Sequence, residues 1–265
     1  MTTDQLHELF QQTLQGDYED EAPWDAVSKI RSNGSREVFS LAAEWLRDSS
    51  ALRRARAAAI LAQLRSPSEV PTDKPEWLFR DETYPLIVEM LKRENDPMVL
   101  GSGIAALGHL YNPAAIPIIS SYAAHSDEDV RFSVACALGH FPNDPEAVSP
   151  LLVLTHDDDS DVRDWAVFGL GVQGDADSAE IRDALVERFT DDDEDVREEA
   201  LVGLSKRRDL RALPILRSLL DAPELKLRVA EAASAMLGLP DDPEEWEAED
   251  YKRALDDTFG GNPQK

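Results

Sequence analysis

Three acidic runs, Asp127-Glu128-Asp129, Asp157 to Asp161 and Asp191 to Asp195, and two histidines, His109 and His140, are the residues with which this chain could do chemistry. Carboxylates two positions apart, as at Asp157, Asp159 and Asp161, are the oxygen donors a calcium ion takes, but the run lacks the glycine and distal glutamate of an EF-hand loop. Two other readings of the acidic runs stand beside calcium: helix capping with solubility, and an electrostatic landing strip for a basic partner. His109 and His140 each follow a glycine and could share a metal, yet no glutamate follows either, and the one His-Glu pair is His7-Glu8. A hydrogen-bonded or exposed pair at a helix end is the plainer reading. His125 and His156 precede acidic runs, where imidazole near a helix C-terminus favours the dipole. Cys136 is the single cysteine, which excludes an internal disulfide and a metal-thiolate cluster and fits a reducing compartment. No catalytic residue, cofactor or metal ligand is expected.

These residues sit in a repeating phrase. DPMVLGSGIAALGH, DEDVRFSVACALGH, DSDVRDWAVFGLGV and DEDVREEALVGLSK are followed by a degraded LRVAEAASAMLG, and the aligned valines Val99, Val130, Val162, Val196 and Val229 are spaced by 31, 32, 34 and 33 residues. Each phrase reads as a helix entered through an acidic cap, Asp127 or Asp129 in the second copy. Offsets of zero, four, seven and eight from the valine form one buried stripe: Val130, Val134, Ala137 and Leu138, then Val162, Ala166, Gly169 and Leu170, then Val196, Ala200, Gly203 and Leu204. Small residues within the stripe allow a neighbouring helix to approach closely. Gly108, Gly139 and Gly171 are expected to end three helices in a left-handed conformation. A second apolar stretch precedes each phrase, as in AAIPIISSYAAH, so each period holds two helices that must stack to bury their faces.

The acidic turn, Val-Arg, small residues and Leu-Gly, as in Val130-Arg131 to Leu138-Gly139 and Val162-Arg163 to Leu170-Gly171, resemble HEAT repeats of the short bacterial, phycobilisome-lyase-like kind over residues 82 to 238. The resemblance implies an all-α fold, an α-solenoid of stacked antiparallel helix pairs, and says little of function. Leu100 and Ala230 replace the arginine in the first and last copies, so any Asp-Arg ladder is expected only between the central ones. HEAT-like proteins include iron-dependent hydroxylases with His-Glu pairs in several repeats and helical DNA glycosylases with a basic groove; neither pattern is present. The name evokes bilin lyases, but nothing besides Cys136 marks a tetrapyrrole site.

Upstream, residues 35 to 64 read as one more pair with Leu52-Arg53 in the Val-Arg place, followed by an inserted loop near 65–81, and helices are expected at 3 to 15 and 23 to 32. One elongated domain spans 1–265: an N-terminal cap at 1–34, repeats at 35–238, a C-terminal capping helix at 239–259 with Ala248, Tyr251, Leu255 and Phe259 on one stripe, and a disordered tail at 260–265.

With 53 acidic against 27 basic residues, the net charge of -26 opposes binding to nucleic acid or anionic membrane. Neither a leader pattern nor an apolar run of spanning length is present, so a soluble cytoplasmic protein is expected. On the second helices, offsets two, six and ten face away from the stripe, which places Phe132, Phe168, His109, His140, Cys136, Val202, Asp164 and Glu198 on an exposed row bordered by Trp165. Packing of Phe132, Trp165 and Phe168 between repeats is the competing reading of the aromatics. The expectation is a non-enzymatic scaffold or adaptor whose inner face and acidic turns bind a protein partner, basic where the turns take part, through Phe132, Asp164, Trp165, Phe168, Glu198, Glu199, His109 and His140. Alternatives are an immunity or inhibitor protein against a basic toxin such as a nuclease, and a metal-dependent hydroxylase or lyase. Oligomeric state is open.

Overall fold

Helix caps organise the computed structural model, which describes residues 2–18, 20–67, 76–240 and 246–260. The fold is an all-α solenoid of helix pairs, and its helices fall into two compact units, residues 1–141 and 142–265. The first unit holds α1 (Thr3–Gln12), α2 (Glu21–Arg31), α3 (Arg36–Trp45), α4 (Ala51–Ala62), α5 (Arg80–Leu91), α6 (Pro97–His109), α7 (Ile116–Ser120) and α8 (Glu128–Gly139). The second holds α9 (Pro145–Leu154), α10 (Ser160–Phe168), α11 (Ala179–Glu187), α12 (Glu194–Lys206), α13 (Leu213–Leu220), α14 (Leu227–Leu237) and α15 (Ala248–Phe259). No helix among the described residues is long and apolar enough to cross a membrane.

The acidic turns act locally before anything else. The side chains of Asp96, Asp127, Asp159 and Asp193 accept hydrogen bonds from first-turn amides of α6, α8, α10 and α12. Two residues earlier a second side chain takes the amide of the cap itself: Asp48 for Ser50, Glu94 for Asp96, His125 Nδ1 for Asp127, Asp157 for Asp159 and Asp191 for Asp193. Four residues after the cap an arginine turns back onto carbonyls of the same loop. Arg54 bonds Asp48 and Ser49, Arg131 bonds His125, Arg163 bonds Asp157 and Asp158, and Arg197 bonds Asp191 and Asp192. Ser50 therefore sets the register of the upstream copy. Arg53-Arg54, not Leu52-Arg53, stands in the Val-Arg place, and Ala57, Ile60 and Leu61 continue the buried stripe.

The stripes pack as expected. Val130, Val134, Leu138, Val162, Ala166, Val196, Ala200 and Leu204 are all at 0% exposure, a burial that stabilises by about 1.5 kcal/mol or more for each large aliphatic side chain. In the first unit α6 lies between α4 and α8; in the second α12 lies between α10 and α14. Gly108, Gly139 and Gly171 do not adopt left-handed backbone. Positive φ falls instead at Phe79, Tyr111 and Arg208 and at Gly16, Gly238 and Gly260. Gly108 is small because a Cβ there would stand 2.8 Å from Ala137 Cα, and Gly203 because its Cβ would stand 2.6 Å from Gly171 Cα. A π-helical turn, Gly169–Gln173, continues α10 at that crossing.

The ends differ in detail from the sequence reading. The first two helices end at Gln12 and Arg31. Beside the inserted segment Arg65 and Trp77 form an isolated antiparallel bridge, and residues 68–75 lie outside the described residues. Tyr251 and Leu255 of α15 are buried against α13 and α14, with Tyr251 Oη 3.1 Å from Ser234 Oγ, as the stripe predicted. The tail expected at 260–265 lies outside them beyond Gly260.

Candidate functional site

Asp164 and Trp165 in the first two turns of α10, Phe168 one turn on, and Glu198 and Glu199 on α12 come to lie together in the second unit. The same zone receives Arg228 and Glu231 from α14, the degraded copy. Trp165 is 38% exposed, and its ring meets Phe168 edge-on with centroids 5.6 Å apart. The Arg228 guanidinium lies 6.0 Å from the Phe168 centroid. It forms ion pairs with Glu199 and, at 2.7 Å, with Glu231. Glu198 accepts from Lys226 Nζ at 2.8 Å, and Lys226 also pairs with Glu194.

Two expected positions are corrected. Val202, placed on the exposed row, is at 0% exposure because α12 is flanked on both sides by second helices and keeps little free surface. Glu199 is only 7% exposed, so it is a floor of the site and not part of its outer surface. Phe132, Cys136, Asp164, Phe168 and Glu198 are half-buried.

The electrostatics of this zone are unusual. Burial first, and then the surrounding negative charge, raise two carboxyls: Asp164 to about 6, with Asp195 and Asp193 as the next contributors, and Glu199 to about 7, with Asp164 and Glu231 adding to the rise against Arg228. Asp164 Oδ1 and Glu199 Oε2 are buried without a hydrogen-bond partner. Orphaned acceptors of this kind are costly and call for explanation.

By contrast the acidic turns are spent on structure. Arg163, 8% exposed, holds Asp191 in a two-point contact at 3.0 and 2.8 Å and reaches Asp192 at 2.7 Å. Against the burial that would raise it, these bonds keep Asp191 below the ordinary carboxylate range. Arg54 holds Glu94 in the same way, so the ladder includes the first copy although Leu100 lacks the arginine. Asp157 and Asp159, of the calcium reading, each accept backbone amides within their own turn. Among the described residues no group of three or more His, Cys, Asp or Glu side chains is arranged to hold a metal ion.

In the first unit the His109 and His140 rings lie 5.0 Å apart, tilted by 52°, and Tyr111 stands 4.9 Å from His140. Burial, then the neighbouring His140, Arg31 and Arg80, push His109 down to about 4, and burial lowers His140 as well. Both are neutral at physiological pH and half-buried. His156 does not act through the dipole alone: its Nε2 lies 2.8 Å from Glu187. Sequence reasoning missed Arg228 and Glu231, because the last copy lacks the arginine at its usual offset. The signal available was an arginine immediately before the aligned Val229, with Glu231 three residues on.

Compared with known proteins, residues 84–171 and 151–237 match the family described as HEAT repeats. The chain is similar to Protein YibA of Escherichia coli strain K12, with 26% identity over 193 residues that cover 71% of this chain and 65% of YibA. It thus spans a little under two thirds of the length of that curated relative. The X-ray structure of YibA shares the fold at a TM-score of 0.69 and 24% identity, covering 100% of this chain and 88% of that one. An archaeal HEAT-like repeats protein from Thermococcus onnurineus NA1 does so at a TM-score of 0.51 and 20% identity, covering 87% and 95%.

Proposed function

Because the chain belongs to the HEAT-repeat family, we propose that it is a non-enzymatic interaction scaffold of the cytoplasm. It engages a protein partner through the inner-face row of its second helices, centred in the second unit on Asp164, Trp165, Phe168 and Glu198, with buried Glu199 beneath them. Phe132, His109 and His140 supply the corresponding contacts of the first unit. The Val-Arg to Leu-Gly phrase favours the short phycobilisome-lyase-like subtype. The observation that carries the reading is Trp165, a large aromatic left 38% exposed beside Phe168 and next in sequence to Asp164. Aromatic anchors of this kind concentrate binding energy in protein interfaces.

A Trp165→Ala/Phe168→Ala variant with unchanged helical circular dichroism loses the partner captured from the native host by the wild-type chain. Undiminished capture by the folded variant overturns the proposal. A sharper form, neutralisation of a basic toxin such as a nuclease, is favoured by the net charge of -26. Rescue of cells from such a toxin by the wild-type chain, and not by the double variant, is its test.

A further inference from the structure

Arg80 opens α5 in the first unit beside two aromatic rings that the fold leaves at the surface. Its guanidinium carbon lies 5.0 Å from the Trp77 ring centroid and 5.4 Å from that of Tyr111. Trp77 is 37% exposed and Tyr111 52%, and large apolar groups gathered on a charged surface mark interaction sites. Nη2 donates to the His109 carbonyl, at the C-terminal end of α6, at 3.0 Å. None of the described residues bonds Nη1, which is open to solvent, and Nε is buried without an acceptor. No carboxylate among the described residues pairs with this arginine, and burial pushes its pKa below the ordinary value with Tyr111 acting against the fall.

The same unit shows what a ring-stacked arginine takes when a partner is in reach. Arg36 lies 4.2 Å from the Phe79 centroid and 5.1 Å from that of Phe39, and its fork grips Glu82 at 2.7 and 2.8 Å. Arg53, 5.2 Å from the Trp45 centroid, holds Asp48 at 2.8 Å. Arg31 and Arg56 are turned onto backbone carbonyls instead. Arg80 has the rings, an open amino group and no acid. Tyr111 adds an independent observation. It follows the C-cap of α6 with a φ of 52°, a left-handed backbone that favours glycine and strains a bulky residue. Its ring is held beside Arg80 at a backbone cost that packing does not offset, since half of it stays in water. Strain of this kind collects at ligand clamps.

We infer that Arg80, Trp77 and Tyr111 form a clamp for one carboxylate side chain, glutamate or aspartate, on a protein partner that carries an apolar residue beside it. The clamp goes beyond the Trp165 row of the second unit and does not depend on it. Its rings supply apolar walls, and the free guanidinium donors match a planar carboxylate. A polyanion such as nucleic acid fits poorly, because it needs several open cations. Here the neighbouring Arg31 and Arg65 are already bonded to the Ala59 carbonyl and the Ser32 hydroxyl, and a net charge of -26 repels a chain of phosphates. His109 and His140 stand next to Tyr111 and Arg80 as neutral rings and add no charge.

The experiment titrates the full-length, 15N-labelled protein with the peptide N-acetyl-Phe-Glu-amide and follows the Arg80 Nε–H and Trp77 indole signals by NMR. N-acetyl-Phe-Gln-amide and inorganic phosphate are the comparison probes. The glutamate peptide binds about tenfold more tightly than the glutamine peptide, as a charge-assisted bond exceeds a neutral one. Equal binding of the two peptides, or no shift at Arg80, overturns the clamp. Tighter binding of phosphate than of the glutamate peptide overturns the assignment to a carboxylate. Tyr111→Gly removes one wall and relieves the left-handed strain, so the fold is kept while the glutamate peptide binds about threefold or more weakly. Arg80→Lys keeps the charge but loses the fork, and weakens the same peptide by a similar factor of about three or more. Undiminished binding by both variants, with unchanged helical circular dichroism, removes the clamp.

Discussion

Glu199 shows how one residue can oppose the fold it belongs to. Its carboxyl, raised to about 7 chiefly by burial, binds a proton in the folded chain at pH values where the unfolded chain has lost it. The folded state then holds more protons between the ordinary glutamate value and about 7, so this group's contribution falls as pH rises through that window. Glu199→Gln is expected to raise stability by about 1–2 kcal/mol at pH 8 and by almost nothing at pH 4.5, read as the difference in urea midpoints from wild type. An equal gain at both pH values, or a loss at pH 8, contradicts the assignment. The residue was legible as acidic and was among the expected partner contacts, but its depth was not legible. Offset three from Val196 falls between the buried and exposed faces, and the packing of α12 between α10 and α14, which brings Arg228 onto it, is a tertiary event.

At the scale of elements, the acidic turn and its arginine form a unit that both starts a helix and ties one repeat to the next. Arg163 is nearly buried, and so is Asp191, whose side chain is 4% exposed. Arg163→Ala leaves buried Asp191 with only the longer pair to Arg188 at 3.5 Å and is expected to cost about 2–3 kcal/mol at pH 7. Asp191 sits below its ordinary value, so its contribution is present above the unfolded value and is lost as pH falls through the folded one. The deficit of Arg163→Ala accordingly narrows in acid, which guanidinium unfolding at pH 7 and at pH 3 compares directly. Arg197→Ala, which removes bonds to the Asp191 and Asp192 carbonyls, is expected to cost less. Helix crossings offer a separate check. Gly203→Ala drives a methyl against Gly171 Cα and should destabilise by about 1–3 kcal/mol, measured the same way. The sequence showed these glycines clearly but left two explanations, left-handed termini or close approach. Neighbouring helix positions decide for the second.

For the whole molecule, charge and capping set the terms. A chain of net charge -26 attracts a basic partner over distances that salt screens, so association should slow about tenfold between 50 and 500 mM salt, with dissociation less affected. Stopped-flow mixing with the captured partner measures both rates, and a salt-independent association rate removes the electrostatic part of the proposal. Leu255→Ala, in the helix that covers α13 and α14, is expected to lose about 2–4 kcal/mol and to promote aggregation. Periodicity alone determined that this is an all-α repeat protein and which stripe of each second helix is buried, because a 3.6-residue helix turns local spacing directly into a face. It also located the caps, since a carboxylate bonding an amide two or three residues away is a local event. Which carboxylates remain unsatisfied was decided only in three dimensions. Asp164, Glu199, Arg228 and Glu231 come from three second helices, α10, α12 and α14, with Glu199 and Arg228 29 residues apart, and their shared desolvation exists only once those helices stack.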